Sequence, residues 1–432
     1  MVNSALLIAG SLWIIWLITG GLSIFEIARF LRNRSHFEKK VGVVQVQSPR
    51  IVFTFATKDC PDVTLRAVDQ IHGVAKGIGL KDYDVHVISD RQDTKVVGAV
   101  PLIVPTEYQT ANLTRYKSRA LHYGVEQRRK LGLNNSDTWV FHLDEESFVT
   151  DQTVKAILEY VHQPRAPPIA SGPIVYPREW DRSSFLAKVM ESVRVYTCYQ
   201  CVSWMTSSVP IYMHGSNLLV RSDVEDAVGW DFGVTSSEDQ RFAQEASVTI
   251  SRRGAMSVGE DQEFAFAARW KFRDDKIFDW HGGVLEEQPP FTVGDFIKQR
   301  QRWFMGNLNN LRFARVPKRV KAVLAARQSI WALGFFGAIA AFLALVIPQH
   351  KPLLTQYLLY GILVTWVSRW QIGLHLNTRT LGFPAWKKAG YHLVTLVVTP
   401  ILALVETYPA VSALFLYPKY TRSNWTWKPT PK

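Results

Sequence analysis

Two kinds of apolar pattern alternate along the chain: long uninterrupted runs at its beginning and end, and short runs separated by amphipathic stretches in its middle. Ala5 to Phe25 carries no charge and is long enough to cross the roughly 30 Å hydrocarbon core of a bilayer as a helix. No basic segment precedes it, no small-residue cleavage site follows, and a strongly basic segment comes after, which predicts an uncleaved anchor rather than a signal peptide. The positive-inside rule then puts the residues after Phe30 in the cytosol. Ser329 to Ile347 and Leu353 to Val367 predict two further spans joined by Pro348–Pro352, and the basic segment Arg369 to Lys388 is expected back in the cytosol. Gly390 to Leu416 contains Pro400, Glu406 and Pro409, and predicts one span followed by a broken or re-entrant piece.

Between Arg50 and about Asn310 the pattern is that of an α/β domain. Ile51–Phe55 is a run of the buried-strand kind, Tyr83–Ile88, Pro101–Val104 and Thr138–Leu143 predict further strands, and Thr64–Gly77 and Thr114–Lys130 have helical spacing. The expected organisation is an anchor over 1–31, a cytosolic domain over 50–310, a basic interfacial helix over 311–328, a membrane region of about three spans over 329–418 and a basic tail over 419–432. In open α/β sheets ligands bind beyond the carboxyl ends of the strands, so Asp90 and Asp144 both stand where a nucleotide would sit. There is no Walker or G-x-G-x-x-G loop, which argues against an ATPase or a dinucleotide enzyme.

The formal charge of +13 suits either nucleic acid or anionic lipid. Position decides for lipid and against nucleic acid: Arg29, Arg32, Arg34, Lys39 and Lys40 follow one apolar run, and Arg312, Arg315, Lys318, Arg319 and Lys321 precede another. Three cysteines cannot build a disulfide framework, and Cys198-x-x-Cys201 has neither a second pair nor a nearby histidine to complete a zinc site, so these are read as reduced thiols.

Asp144-x-Glu146 offers two carboxylates that can hold Mg²⁺ or Mn²⁺ against a diphosphate, because hard divalent ions take oxygen ligands and share them with phosphate. Such a spacing arises by chance roughly three times in a chain of this composition, and it is the preceding buried strand that raises its value. Glu260-Asp261 opens a second acidic stretch, nearly copied 22 residues earlier by Glu238-Asp239. Gln299-x-x-Arg302-Trp303 sets a fixed cation and an aromatic plate on one helical turn, which suits a sugar ring beside a phosphate. Alone, Trp303 would read as an interfacial aromatic and Arg300 and Arg302 as headgroup contacts. His142 and His214 read as hydrogen-bonded structural residues.

In order along the chain, His142-Leu143-Asp144-Glu145-Glu146-Ser147, Ser171-Gly172-Pro173-Ile174-Val175-Tyr176, His214-Gly215-Ser216-Asn217, Ser257-Val258-Gly259-Glu260-Asp261, Pro290-Phe291-Thr292 and Gln299-x-x-Arg302-Trp303 resemble membrane-embedded family 2 glycosyltransferases, the group of the cellulose, chitin and hyaluronan synthases. The likeness is nearest to Egghead-type β-1,4-mannosyltransferases, and Lys117–Tyr123 is similar to the family's basic helix near the donor. The resemblance implies a GT-A-like (Rossmann-like) fold and inverting, metal-dependent transfer. Thr57 and Asp90 would contact the nucleotide, with Lys117 and Arg119 beside the donor. Asp144 and Glu146 would hold Mg²⁺ or Mn²⁺ and the diphosphate. Asp261 would be the general base with Glu260 shaping its surroundings, and the family's spacing to the Q-x-x-R-W string selects Asp261 over Asp239. Arg302 would stabilise the departing nucleoside diphosphate. Gly215, Ser216, Asn217, Gln299 and Trp303 would face the acceptor, with Trp303 stacking on its sugar. The implied donor is GDP-mannose, with a UDP-sugar polymer synthase as the alternative, and the implied acceptor is a glycolipid or glycan at the membrane. Gly259 replaces the threonine common in the synthases, and Gly233–Met256 reads as an insertion where an acceptor would approach.

Overall fold

The computed structural model describes residues 49–58, 61–92, 96–205, 213–232, 260–272, 277–313, 318–346 and 353–420, with parts of a helix between 21 and 32. Most of the expected N-terminal anchor, the Glu238-Asp239 pair with its insertion, and the basic tail from 421 lie outside the described residues.

The four predicted runs become strands, β1 (Arg50–Thr57), β2 (Tyr83–Ser89), β3 (Val100–Ile103) and β4 (Thr138–Leu143), of which β3, at the sheet edge, is partly exposed rather than buried. All six residues of β4 are buried, as expected of a strand covered on both faces. Short strands follow: β5 (Ile169–Ser171), β6 (Ile174–Val175), β7 (Leu218–Arg221), β8 (Phe278–Trp280) and β9 (Leu285–Glu286). The main sheet has the order β3-β2-β1-β4-β7-β5-β8, and β6 pairs with β9. Strands β3, β2, β1 and β4 are mutually parallel, so their carboxyl ends share one edge. Strand β7 is antiparallel to both β4 and β5, with His142 opposite Leu218 and Ser171 opposite Leu218. Its amino end therefore meets the carboxyl end of β4, and the residues just before Leu218 join Asp144 at the same edge.

The helices of the domain are α1 (Pro61–Ile78), α2 (Tyr116–Lys130), α3 (Asp151–Val161), α4 (Phe185–Met205), α5 (Ser222–Val228), α6 (Glu260–Phe272) and α7 (Val293–Phe313). Helix α3 begins at a capping box in which Thr150 and Thr153 satisfy each other's backbone amides. One core cluster gathers Phe53, Phe55, Ile71 and Ile157, and another gathers Ile88, Leu121, Val220, Trp230 and Phe264.

Three long helices follow: α8 (Lys318–Val346), α9 (Leu353–Thr378) and α10 (Ala385–Tyr420). Lys321–Ile339 and Ala385–Pro418 are long and apolar enough to cross a membrane. The sequence expectation needs correcting at three places. The basic residues from 318 to 328 run without a break into α8 rather than forming a helix of their own. Helix α9 continues through Arg369 to Thr378. Helix α10 is one helix, although Pro400, Pro409 and Pro418 lie inside it. Proline removes one backbone donor and bends a helix, but neighbours packed around the bend can hold it together. Here Leu402, Ala403, Ala410 and Ala413 are buried, the last two against Phe304 and Met305 of α7.

Polar contacts join these helices to the domain. Asn377 accepts a hydrogen bond from the Tyr176 amide (2.6 Å) and donates to Ser192 (3.0 Å) in a fully buried setting. Gly373 lies so close to α4 that a Cβ there would come 2.6 Å from the Ser192 carbonyl oxygen.

Candidate active site

Thr57 ends β1, Asp90 follows β2, Asp144 follows β4, and Gly215–Asn217 lead into β7, so strand order alone brings four sequence-predicted segments to one edge. Their side chains are held by short contacts. Thr57 donates to the Glu145 carboxylate (2.6 Å) in a buried setting, tying the end of β1 to the loop after β4. Lys117 Nζ lies 2.6 Å from Asp144 Oδ1, and Arg119, two residues on, reaches Asp90 Oδ1 at 2.7 Å. Helix α2 thus places one cation at the end of β2 and another at the end of β4. Arg119 also donates to the carbonyls of Tyr108 and Pro105, which fixes its guanidinium in the strand-edge loop.

Asn217 adopts φ 54°, a left-handed conformation that asparagine tolerates better than most residues. Its amide donates to the carbonyls of Pro173 and Gly283 (2.8 and 2.9 Å). The asparagine of the His-Gly-Ser-Asn string therefore joins three backbone segments, rather than being free to meet an acceptor. Ser216 donates to a residue the sequence reading passed over, Glu287, which also accepts from Ser147 (2.8 Å). Ser147 Oγ in turn accepts from the Asp144 amide (3.1 Å). Burial pushes the Glu287 carboxyl up to about 7, helped by the nearby charges of Asp144 and Glu146 and opposed by Arg194 and the Ser216 hydrogen bond. Among the described residues no three His, Cys, Asp or Glu side chains converge as a ready-made metal cage.

Arg194 of α4 is the second residue that the sequence reading missed. It lies 3.0 Å from Glu191, and its guanidinium sits 5.5 Å from the Tyr176 ring centroid and 4.3 Å from that of Trp303. Burial works against the cation, but the fields of Tyr176, Glu191, Cys198 and Glu287 hold its pKa above the ordinary arginine value. Arg300 reaches the other Glu191 oxygen at 2.8 Å and packs 4.2 Å from the centroid of the same Trp303 ring. Trp303 is thus already in contact with two guanidinium groups, and Gln299 accepts a hydrogen bond from Arg300 (3.1 Å). Arg302 lies on the same helix, half-buried. Glu260 and Asp261 form the first turn of α6, and their side chains lie outside the described residues.

Both histidines read as structural are held in place. His214 contacts the buried Cys198 thiol (3.7 Å), and burial, with Arg194 nearby, depresses it to about 3. His142 Nε2 lies 3.0 Å from Glu225, which also meets Arg128 (2.5 Å) and Trp230 (2.7 Å). Burial alone would raise the Glu225 carboxyl, but Arg128 and His142 outweigh it and bring it to about 2.

These shifts predict acid sensitivity. Burial depresses His86 to about 4 and His281 to about 4, joining His214 and Glu225. A group depressed in the fold stabilises it above its ordinary pKa and loses that contribution as pH falls through the folded value. For the histidines the loss runs from 6.5 down to about 3 or 4, and for Glu225 from 4.5 to about 2. Glu287, raised to about 7, acts in the opposite sense between about 7 and 4.5 and offsets one of the four. The expected result is a thermal midpoint that falls steadily below about pH 6, read by intrinsic fluorescence in detergent.

A profile described as Glycosyl transferase family group 2 matches residues 139–418. The chain belongs to this family. Among curated relatives of this glycosyltransferase, the Drosophila melanogaster protein "Beta-1,4-mannosyltransferase egh" is 27% identical over 293 residues, 66% of this chain and 58% of the relative. The Caenorhabditis elegans "Beta-1,4-mannosyltransferase bre-3" is 24% identical over 352 residues, 79% of this chain and 69% of the relative. The chain therefore spans little more than half the length of the Drosophila protein. Of solved structures, "Mannosyltransferase PcManGT from Pyrobaculum calidifontis in complex with GDP-Man and Mn2+" aligns over 94% of this chain and 99% of its own at 12% identity, with a TM-score of 0.47. At that score the fold assignment rests on the strand order and not on the superposition.

Proposed function

We propose that the chain is a membrane-bound, GT-A-like mannosyltransferase that passes mannose from GDP-mannose, with inversion, to a glycolipid or glycan acceptor at the cytosolic face of a bilayer. The observation that carries this reading is the paired anchoring by α2: Lys117 on Asp144 and Arg119 on Asp90, at the edge where an α/β sheet takes a nucleotide. Mannose as the sugar rests on the printed names of the relatives.

Asp144 and Glu146 suit a divalent ion of the Mg²⁺ or Mn²⁺ kind, which commonly takes one or two carboxylates and completes its shell with substrate phosphates and water. When bound, the ion would neutralise the diphosphate as the glycosidic bond to it breaks. Everything else falls to the chain. Thr57 and Asp90 border the place for the nucleoside, and Arg119 holds Asp90 still. Lys117 supplies a cation beside the diphosphate, and Arg302 a second from α7. The acceptor hydroxyl oxygen forms the new bond to the anomeric carbon from the face opposite the leaving group, its proton passes to the Asp261 carboxylate, and the electron pair of the broken bond leaves on the nucleoside diphosphate. Glu287 holds the loop of Asp144 against Ser216. With Arg194 and Arg300 on its ring, Trp303 serves here as the wall that carries those cations.

Release of nucleoside diphosphate from a panel of GDP- and UDP-sugars, with Mn²⁺ and lipid acceptor present, tests the donor. Turnover is expected with GDP-mannose and to fall at least tenfold when the ion is chelated. Turnover with a UDP-sugar and none with GDP-mannose would overturn the assignment.

A further inference from the structure

Helix α6 carries Glu260 and Asp261 in its first turn, and Phe264, one turn on, starts a row of rings that leads to the strand before Asp144. Phe264, three residues after Asp261, is fully buried and stacks on Trp230 with centroids 4.3 Å apart and planes 16° from parallel. Trp230 makes an edge contact with His142 at 5.4 Å and 67°. His142 lies in β4, two residues before Asp144. A single carboxylate aligns the middle of this row: Glu225 accepts from Trp230 Nε1 (2.7 Å), lies 3.0 Å from His142 Nε2, and is itself pinned by Arg128. His142, Glu225, Trp230, Phe264 and Arg128 are each at most 2% exposed, so none of them touches substrate.

We propose that Trp230 and Phe264 are positioning residues for sugar transfer: the row from His142 through Trp230 to Phe264 sets the separation between the metal-side carboxylate Asp144 and the base helix. The inference rests on the reading of Asp261 as the base. Its physical content is rigidity. Buried aromatic stacking and an aligned hydrogen bond leave the row little room to slide, and sub-ångström placement of a reacting group is worth large factors in rate, on the order of a hundredfold for a 1 Å error. In the proposed reading donor binding draws on Asp90, Lys117, Asp144 and Glu146, none of which lies on α6. Disturbing the row should therefore separate turnover from donor affinity, a division that a general loss of stability does not produce.

The test compares Phe264→Leu, which removes the ring but keeps an apolar side chain, with Trp230→Phe, which keeps a smaller ring to stack on and loses the hydrogen bond to Glu225. Each is measured in the full chain in detergent for the turnover of GDP-mannose, for the affinity of GDP with Mn²⁺ by calorimetry, and for the thermal midpoint. Phe264→Leu is expected to lower kcat at least tenfold with GDP affinity within about twofold of wild type, and Trp230→Phe, which keeps part of the stack, to lower kcat by less, also without loss of GDP affinity. Turnover within twofold of wild type in Phe264→Leu would overturn the proposal, as would GDP affinity falling in step with kcat. Asp261→Asn, measured in parallel, separates the two readings. If it keeps full transfer, the base assignment fails and the row has nothing to position; if it is inactive while Phe264→Leu is not, only the positioning role fails.

Discussion

Asp261→Asn is expected to lower sugar transfer by about 10² to 10⁴-fold while leaving GDP and metal affinity and the thermal midpoint near those of wild type. The amide has nearly the shape of the carboxylate and cannot accept the acceptor's proton, so the loss should appear in kcat and scarcely in donor KM. Initial rates of product formation with a labelled donor measure it, alongside GDP titration of the same preparation. Glu260→Gln should cost less, because a neighbouring carboxylate shapes the proton affinity of the base without taking the proton. Transfer at the wild-type rate in Asp261→Asn would move the base role to another group.

The second large effect is on stability. Gly172 stands where three backbone segments cross: a Cβ there would overlap the Gly283 carbonyl oxygen and come 2.5 Å from His281 Cε1 and 2.7 Å from Asn217 Nδ2. The nearest obstacle is backbone, the other two are buried side chains, and backbone gives way at greater cost than the end of a flexible side chain. Gly172→Ala is therefore expected to destabilise the domain by about 3 kcal/mol, the upper end of ordinary overpacking penalties, or to abolish folding. A thermal or denaturant melt against wild type reads it directly; a midpoint within 2 °C of wild type would show that the crossing can open. Asn217, whose amide donates to Gly283 from that same crossing, should show a smaller loss on substitution by alanine.

Chain order explains which parts of the molecule could be read in advance. Strands β1 to β4 were legible because each is rich in apolar and β-branched residues between polar segments, and three of them, β1, β2 and β4, end at or just before a residue of the shared edge, Thr57, Asp90 and Asp144. Strands β5 to β9 span two to four residues, too few for any periodicity, and are defined by their partners rather than by their own composition. Glu287 was hidden in Glu286-Glu287-Gln288-Pro289-Pro290, which reads as an exposed acidic turn; only the pairing of β6 with β9 puts it under Asp144. Arg194 was hidden because one arginine on a mixed helix carries no pattern, and its significance comes from Trp303, more than a hundred residues away. The Q-x-x-R-W string was legible as a cation beside an aromatic, but its partners were not: Arg300, one of the two residues that the family pattern leaves open, is the one that meets Glu191 and Trp303. The prolines of α10 misled for a related reason, since a local rule for helix breaking says nothing about the neighbours packed around the bend.

The buried joint between α4 and α9 has a practical consequence. Asn377 satisfies both the Tyr176 amide and the Ser192 hydroxyl, Gly373 lets the two helices touch backbone to backbone, and Trp180 donates to the Tyr391 hydroxyl at 3.0 Å. A fragment cut after α7 would keep every proposed catalytic side chain and still lose these partners, leaving polar groups stranded and an apolar seam open to water. Excising the sheet as a water-soluble enzyme is thus the wrong way to prepare this protein. The sheet domain and the long apolar helices are one piece of architecture, so their relative placement is set at the moment the chain folds.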